Sequence, residues 1–200
     1  YYNTKTKTLV ISGTGTMYDY NYNNRPWEMY EDEIEAVVVV DGITVIGKHA
    51  FYGFEKITDI TIPASVTTIK DNAFGYCQGL ISITIPDTVT SLGSAFGSCY
   101  NLKKITIGDG VTTIAGSTFY DCTSLESVVI PAGIVSPVQG IDDATFVGCT
   151  SLKQVVILCE LQTIKICLED GVVLDAFDGC TALTDVFYAY SKEQMSTVQN

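Results

Sequence analysis

The strongest constraint on this chain is an internal repeat. Intervals of 23, 22, 23, 27 and 31 residues separate Phe51, Phe74, Phe96, Phe119, Phe146 and Phe177. Three residues after these positions stand Phe54, Cys77, Cys99, Cys122, Cys149 and Cys180. Three residues later again come Ile57, Leu80, Leu102, Leu125, Leu152 and Leu183. A period of about 20 to 50 residues that stays in phase predicts a stacked repeat architecture.

Each repeat contains two short predicted strands. The third apolar position leads into a β-branched triplet such as Ile60–Ile62 or Val128–Ile130, and Pro or Gly usually ends it. Alternation within the triplet indicates a strand with one buried face. A second alternating segment follows at residues 42–46, 65–69, 88–92 and 110–114. Its outer apolar residues are expected to point inward and its Thr or Ser pair outward, so one coil consists of two strands and a tight turn.

A single coil cannot bury its own apolar edge, so neighbouring coils must stack. We therefore predict a β-dominated repeat solenoid of about six to seven coils, with parallel short strands, short helical turns and a cap at both ends. Residues 1–33 are expected to form an N-terminal capping strand or hairpin and loop, and residues 34–189 the solenoid. Residues 190–200 are expected to form a C-terminal capping helix, because Ser191 and Gln194 have capping-box spacing.

The repeated residues resemble the BspA-type leucine-rich repeats, whose consensus runs small-Phe-x-x-Cys-x-x-Leu-x-x-Ile-x-Ile-Pro and then x-x-Val-x-x-Ile. The resemblance covers residues 34–189, and residues 11–27 are similar to the leader that precedes such arrays. It implies a leucine-rich-repeat solenoid in a bacterial protein that is secreted or displayed on the cell surface. It also implies adhesion or protein binding, and it brings no shared catalytic residues.

The last two repeats depart from this pattern. Repeat five gains four residues around 135–140, and repeat six gains eight within 166–174. Both insertions lie between the strand and the next phenylalanine. Extra length on one side of a solenoid often serves binding, whereas near a terminus it is also tolerated without a function. The sequence leaves both interpretations open.

The seven cysteines raise the question of a disulfide framework or a metal site. Five of them share the core-facing phase three residues after the repeated phenylalanine, and no Cys-x-x-Cys pair is present for zinc. We interpret these five as small buried hydrophobic residues. Disulfides remain an alternative, because stacked coils bring Cα atoms into bonding range. Cys159 and Cys167 lie off phase and are the favoured pair.

The composition argues against several kinds of partner. A net charge of -12 disfavours binding to nucleic acid or to an anionic membrane surface. No apolar run approaches the roughly 18 residues that a membrane span requires. The chain begins without the features of a signal peptide, so its secreted or cell-surface location is expected from the resemblance and not from a targeting segment.

No catalytic, metal or cofactor site is predicted, and the chain is not expected to be an enzyme. His49 is the only histidine, and its position in the repeat places it on the surface. Residues 19–24 imitate the opening of a calcium loop, but the required Gly and bidentate Glu are absent, so a polar connecting loop is favoured. Residues 12–16 have the glycines of a phosphate cradle without the following Lys, which favours a strand turn.

The outward residues of the first strands form the remaining candidate site, which we name the strand face. Its candidate partner-binding residues are Asp59, Thr61, Ser82, Thr84, Lys104, Thr106, Val129, Gln154, Val156, Asp185 and Phe187. Solenoids bind partners through extended faces of this kind. Thr and Val are equally ordinary residues of an exposed strand, and only Val129, Val156 and Phe187 indicate an apolar patch.

We therefore predict a non-enzymatic extracellular module that binds a protein or a surface glycan of a host or neighbouring cell. The strand face and the late insertions are the expected binding surfaces. The alternative is a structural spacer within a larger cell-surface protein. Neither prediction involves a cofactor, nucleic acid or membrane insertion, and the sequence determines neither the ligand nor the oligomeric state.

Overall fold

The structure is a computed structural model that describes residues 1–134, 144–159, 167–169, 172–174, 176–189 and 195–198. Short strands dominate this part of the chain, together with a single 3-10 turn at Glu28–Tyr30. The strands are β1 (Tyr2–Asn3), β2 (Thr8–Ile11), β3 (Gly15–Thr16), β4 (Ala36–Val39), β5 (Ile43–Ile46), β6 (Asp59–Thr61), β7 (Thr68–Ile69), β8 (Ser82–Ile85), β9 (Ser91–Leu92), β10 (Lys104–Ile107), β11 (Thr113–Ile114), β12 (Ser127–Ile130), β13 (Gln154–Ile157), β14 (Cys167–Glu169), β15 (Val172–Leu174), β16 (Asp185–Ala189) and β17 (Met195–Val198).

The first strands of successive coils pair in parallel, which confirms the predicted solenoid. One ladder contains β2, β4 and β6, and a second contains β8, β10, β12, β13 and β16. The pairing keeps the repeats in phase, with Lys104 opposite Ser82 and Gln154 opposite Ser127. A slip of one residue would turn every buried side chain outward, so the apolar alternation fixes this register.

The second strands form their own parallel ladder of β3, β5, β7, β9 and β11. The alternation predicted for 88–92 is confirmed, since Val89 and Leu92 are buried while Thr90 is exposed. The outward threonines also connect the coils. Thr90 Oγ1 donates to Thr67 O over 3.3 Å, and Thr112 Oγ1 donates to Thr90 O over 3.0 Å.

A stack of phenylalanine rings runs along the interior. Neighbouring ring centroids lie 5.3 to 6.0 Å apart, and the ring planes are within 15° of parallel. The stack consists of Phe51, Phe74, Phe96, Phe119, Phe146 and Phe177. The rings from Phe51 to Phe146 are fully buried. Each interior ring is thus packed between the rings of the two neighbouring coils.

The cysteine that ends each turn binds the backbone of the preceding coil. Cys77 Sγ donates to Phe51 O over 3.1 Å. The same contact joins Cys99 to Phe74, Cys122 to Phe96, Cys149 to Phe119 and Cys180 to Phe146. Four of these thiols are buried and free, those of Cys77, Cys99, Cys122 and Cys149. Their predicted role as small buried core residues is confirmed.

The turn between the two ladders relies on left-handed backbone. The residue two positions after the stacked phenylalanine has a positive φ in every coil, with values from 56° to 77°. Glycine occupies it in three coils, as Gly53, Gly148 and Gly179. The other three coils place Tyr76, Ser98 and Asp121 there, although a side chain disfavours this conformation. The helical turns that we expected are single hydrogen-bonded turns, such as Phe54 N to Phe51 O over 3.4 Å.

The entry loop covers the N-terminal end of the phenylalanine stack. Trp27 stacks on Phe51 with ring centroids 5.9 Å apart, and its Nε1 donates to Ala50 O over 3.0 Å. Arg25 lies over the ring of Phe54 at 4.8 Å and is only 5% exposed. Trp27 therefore extends the stack by one ring, and Arg25 seals the position beside it.

The buried Arg25 guanidinium is fully engaged by the protein. Its Nε donates to Glu28 Oε2 over 2.6 Å, and its Nη2 donates to Glu31 Oε2 over 3.0 Å. The backbone carbonyls of Tyr22 and Tyr52 accept further hydrogen bonds. A buried cation is tolerated only with such complete pairing. The sequence did not identify this residue as a part of the cap.

The predicted C-terminal helix is wrong where the structure describes this segment. Met195–Val198 form β17, which pairs antiparallel with β16 in a register that places Val186 opposite Val198 and Ala189 opposite Met195. The outer edge of β16 offers unpaired backbone groups that a strand satisfies and a helix does not. Ser191 and Gln194, on which the helix prediction rested, lie outside the described residues.

The insertion in repeat six contains a hairpin. Within 166–174, β14 and β15 pair antiparallel, with Cys167 opposite Leu174 and Glu169 opposite Val172. The sequence predicted extra length here but no strands. The insertion in repeat five, around 135–140, lies outside the described residues. The parallel ladders already begin with β2 and β3, within the predicted cap, and 34–189 stays the proposed extent of the repeat pattern.

Candidate functional site

The first row of the strand face is polar and in register. Lys104 lies between Ser82 and Ser127, and Gln154 lies between Ser127 and Asp185. Ser82, Lys104 and Gln154 are exposed, whereas Asp185 is half-buried. Asp185 Oδ2 accepts a hydrogen bond from Thr184 Oγ1 over 3.0 Å. Repeat phase thus placed these side chains in one row, as predicted.

The second row changes character along the array. Thr84 and Thr106 lie opposite each other and are exposed. Further along, Val129 pairs with Val156, and Val156 with Phe187. Val129 is 47% exposed, while Val156 and Phe187 are half-buried. The structure therefore brings the three predicted apolar residues together on adjacent strands.

The strand face is divided between two ladders. β6 belongs with β4, where Asp59 lies opposite Ala36 and Thr61 opposite Val38. β8 begins the second ladder, which carries the other candidate residues. Asp59 and Thr61 are exposed but are not joined to Ser82 and Thr84 by ladder hydrogen bonds. The uninterrupted part of the face runs from β8 to β16.

The loop that imitates a calcium site is held by lysines. Asp19 accepts hydrogen bonds from Lys70 Nζ at 2.8 and 2.9 Å, and from the Lys48 amide at 3.0 Å. The Lys70 hydrogen bond, followed by that from the Lys48 amide, lowers the pKa of the Asp19 carboxyl. In the part of the chain that the structure describes, no three His, Cys, Asp or Glu side chains come close enough to hold a metal.

The environment of His49 differs from the expected exposed position. The ring is half-buried, and its Nδ1 lies 2.9 Å from Tyr20 O. It packs between Tyr22 and Tyr52, at centroid distances of 4.5 and 5.8 Å. Tertiary packing of the entry loop, which has no counterpart in the other coils, covers this side chain. These contacts connect the entry loop to the first turn of the array.

The buried core cysteines have raised thiol pKa values and low reactivity. Burial raises the pKa of the Cys99 thiol to about 12, and it also raises the pKa of Cys77 and Cys122 well above the usual range. The thiolate is the reactive form of cysteine, so these thiols are poor nucleophiles. Cys159 is likewise a buried free thiol, so the structure does not contain the bridge proposed from it. The side chain of its suggested partner, Cys167, lies outside the described residues.

Tyrosines that the sequence did not single out line one exposed edge of the array. Tyr22 packs on Tyr52 at 4.7 Å, Tyr52 on Tyr76 at 5.2 Å, and Tyr76 on Tyr100 at 6.1 Å between ring centroids. Tyr120 follows in the next coil and is 41% exposed. Tyr22 belongs to the entry loop, and the four tyrosines of the array occupy three different positions of the repeat, so no fixed phase marks them. The one sequence signal was the count of 12 tyrosines.

The stacked coils match a known family of repeat proteins. Residues 44–184 match the family model described as "BspA type Leucine rich repeat region", in six copies. The chain belongs to this family. The family and the fold support a general role as a repeat-based protein-interaction module. A search of curated proteins gives no match.

Solved structures of bacterial leucine-rich repeat proteins are similar to the chain. A leucine-rich repeat protein from T. pallidum is 26% identical with a TM-score of 0.60, covering 74% of this chain and 64% of its own. A leucine-rich cell surface protein from Faecalibacterium prausnitzii A2-165 is 21% identical with a TM-score of 0.46, covering 82% and 62%. The chain thus spans less than two thirds of the length of either protein. Its described residues include no helix with the length and hydropathy of a membrane span.

Proposed function

We propose that the chain is a non-enzymatic extracellular binding module that engages a protein or a surface glycan through the strand face. The apolar row of Val129, Val156 and Phe187 carries this proposal. These residues lie in register on three adjacent strands, and Val129 is 47% exposed. Clustered apolar side chains on a solenoid surface are typical of a partner-binding patch.

The polar row beside this patch supports the same function. Ser127, Gln154 and Asp185 run parallel to the apolar row on the same strands. An apolar strip next to hydrogen-bonding side chains has the composition of an interface core and its rim. The extracellular location is the expectation that comes with the family, and protease treatment of intact cells tests it.

The patch is tested with a triple variant, Val129→Ser, Val156→Ser and Phe187→Ser. The matched control is Thr61→Ser, Thr84→Ser and Thr106→Ser, which changes the same row in earlier coils. Both proteins and the wild type are measured by biolayer interferometry against purified extracellular-matrix proteins and mucins. Binding that survives in the control and is lost in the patch variant supports the proposal. Equal binding by all three proteins contradicts it.

A structural spacer is the second candidate, favoured by the threonine part of the row. Thr84 and Thr106 are small, exposed and ordinary for a strand. A spacer is expected to bind none of the purified ligands, in the wild type or in either variant. Its stability should then be independent of the exposed Val129, and should depend only on the half-buried Val156 and Phe187 within the apolar patch.

A further inference from the structure

A groove of about 370 Å³ lies on the turn side of the array. Tyr76 and Tyr120 form its rim, two coils apart, and they are 40% and 41% exposed. Gly97 and Ser98 of the intervening coil form its floor. The remaining lining residues are Asn72, Ser94 and Ser117. None of these residues belongs to the strand face, so a ligand site in the groove is independent of the function proposed for that surface.

The groove exists because glycine replaces a larger residue on the turn. The position after the stacked phenylalanine is Tyr52, Gly75, Gly97 and Tyr120 in four successive coils. The ring of Tyr52 covers Gly75, since a Cβ there would lie 3.0 Å from Tyr52 Cδ2. At Gly97 the nearest atom to such a Cβ is Ser117 O, at 3.8 Å. The space above Gly97 is therefore open and bounded by two aromatic side chains.

Four lining residues, Asn72, Tyr76, Ser98 and Ser117, hold a backbone conformation that disfavours side chains. Tyr76 has a φ of 58° and Ser98 a φ of 60°, at the turn position where Gly53, Gly148 and Gly179 stand in other coils. A Cβ is sterically unfavourable in this region of backbone space. Strained residues of this kind concentrate at binding sites. The turn folds with glycine elsewhere, so folding alone does not require a tyrosine or a serine here.

The groove is lined with uncharged hydrogen-bonding groups. Ser94 Oγ donates to Gly116 O over 2.6 Å. Among the residues that the structure describes, the side chains of Asn72, Ser98 and Ser117 have no hydrogen-bond partner. Ser98 is only 4% exposed. No fully buried side-chain oxygen among the described residues lacks a hydrogen-bond partner, so the Ser98 hydroxyl, which has none, is accessible from the groove that it lines. A ligand hydroxyl can pair with this accessible group in place of water.

We propose that this groove binds a pyranose unit of a neutral glycan. The aromatic rim offers apolar contact to the C–H face of a sugar ring, while short hydroxyl and amide side chains both donate and accept hydrogen bonds, as sugar hydroxyls do. No carboxylate or ammonium group is among the described lining residues. The net charge of -12 disfavours acidic sugars. A proline-rich peptide would present mainly carbonyl acceptors, and it would leave the acceptor groups of the groove unused.

Three variants of the whole chain test the site. Gly97→Phe fills the groove, and the open space and ordinary φ at Gly97 allow the side chain without strain. Tyr120→Ala removes one wall. Thr113→Phe is the matched control, because it adds the same ring at an exposed position of β11 that belongs neither to the strand face nor to the groove. Thermal unfolding of each variant checks that it remains folded.

Binding is measured by saturation-transfer difference NMR and titration with mannan, dextran and cello-oligosaccharides, and with a proline decamer. We expect the wild type and Thr113→Phe to bind at least one neutral glycan. Tyr120→Ala should weaken that binding about tenfold or more, and Gly97→Phe should abolish it. No binding of any neutral glycan by the folded wild type overturns the proposal. So does glycan binding that is unchanged in Gly97→Phe, or groove-dependent binding of the proline decamer alone.

Discussion

The interior of the array and its strand face obey different rules within the same coils. Inside, phenylalanine occupies the stacked position in all six repeats, and the rings keep a spacing of 5.3 to 6.0 Å. Outside, the first row reads Ser82, Lys104, Ser127, Gln154 and Asp185. The interior position requires the same residue in every coil, because each side chain packs on the equivalent side chain of the neighbouring coil. The residues of the outer rows can differ from coil to coil, so they can determine which partner binds without altering the fold.

Truncation of one interior ring should give the largest loss of stability. Phe96→Ala removes a fully buried ring that stacks on Phe74 and Phe119, and we expect it to lower the free energy of unfolding by about 3–5 kcal/mol. Thr106→Ala, on the strand face of the same coil, should change it by less than about 0.5 kcal/mol. Guanidinium unfolding followed by circular dichroism compares the two. Similar losses for both variants would contradict the division between interior and face.

The same contrast holds for two cations at the N-terminal end. Arg25→Ala removes a buried guanidinium and leaves the carbonyls of Tyr22 and Tyr52 without donors, which should cost about 3 kcal/mol. Lys7→Ala breaks an exposed ion pair with Glu35 and should leave the unfolding midpoint unchanged. Differential scanning calorimetry is the measurement. If Arg25→Ala unfolds at the wild-type temperature, the entry loop does not seal the stack.

The buried thiols give the free energy of unfolding a pH dependence in the alkaline range. An unfolded thiol ionises near pH 8.5, at about its reference pKa, whereas burial holds the pKa of Cys99 at about 12 in the folded chain. Unfolding therefore releases a proton in this window. The free energy of unfolding is unaffected by this group below about pH 8 and falls as pH rises from there towards 12, by about 1.4 kcal/mol per pH unit for one such thiol.

Unfolding of the wild type and of Cys99→Ala between pH 7 and 10 isolates this contribution. The free energy of unfolding of the variant should fall less steeply with rising pH. The difference in slope from the wild type should be close to the contribution of one thiol, about 1.4 kcal/mol per pH unit. The strand-face variant Thr106→Ala provides the control, because it contains no titratable change and should follow the wild-type slope. Identical slopes for the wild type and Cys99→Ala would show that the Cys99 thiol ionises equally in both states.

What the sequence could predict depended on whether a feature repeats. The phenylalanine stack, the buried cysteines and the in-phase register all follow from one periodic pattern, since each copy constrains the next. The helix predicted at Ser191 and Gln194 rested on a local signal, and the unpaired edge of β16 overrode it at Met195–Val198. Local propensity is a weak prior where an open strand edge is nearby.

Features that break the repeat were harder to foresee. In the sequence, β14 and β15 flank Asp170-Gly171, a dipeptide that is a strong hairpin signal between apolar runs. The groove arises from a residue that is missing, because Gly97 stands where Tyr52 and Tyr120 stand in other coils. Its walls come from different repeat positions, so only the packed structure brings them together. The sequence likewise gave no signal that Arg25 is buried against the ring of Phe54.

The smallest expected effect has the opposite sign and concerns the floor of the groove. Ser98 has a left-handed φ of 60° and is only 4% exposed. Replacing it with Gly removes a Cβ penalty of about 1–2 kcal/mol, and the greater entropy of unfolded glycine offsets about 0.5–1 kcal/mol of that gain. Ser98→Gly should therefore stabilise the chain by about 0.5 kcal/mol, whereas Ser98→Ala keeps the Cβ and should not.

Chemical unfolding of the two variants beside the wild type measures this difference. If Ser98→Gly is more stable and also binds neutral glycan more weakly, the serine contributes to glycan binding and lowers the stability of the fold. Equal stability of Ser98→Gly and Ser98→Ala would mean that the turn carries no strain at this coil. The contrast between interior and surface would then lie in the stacked rings and buried thiols alone.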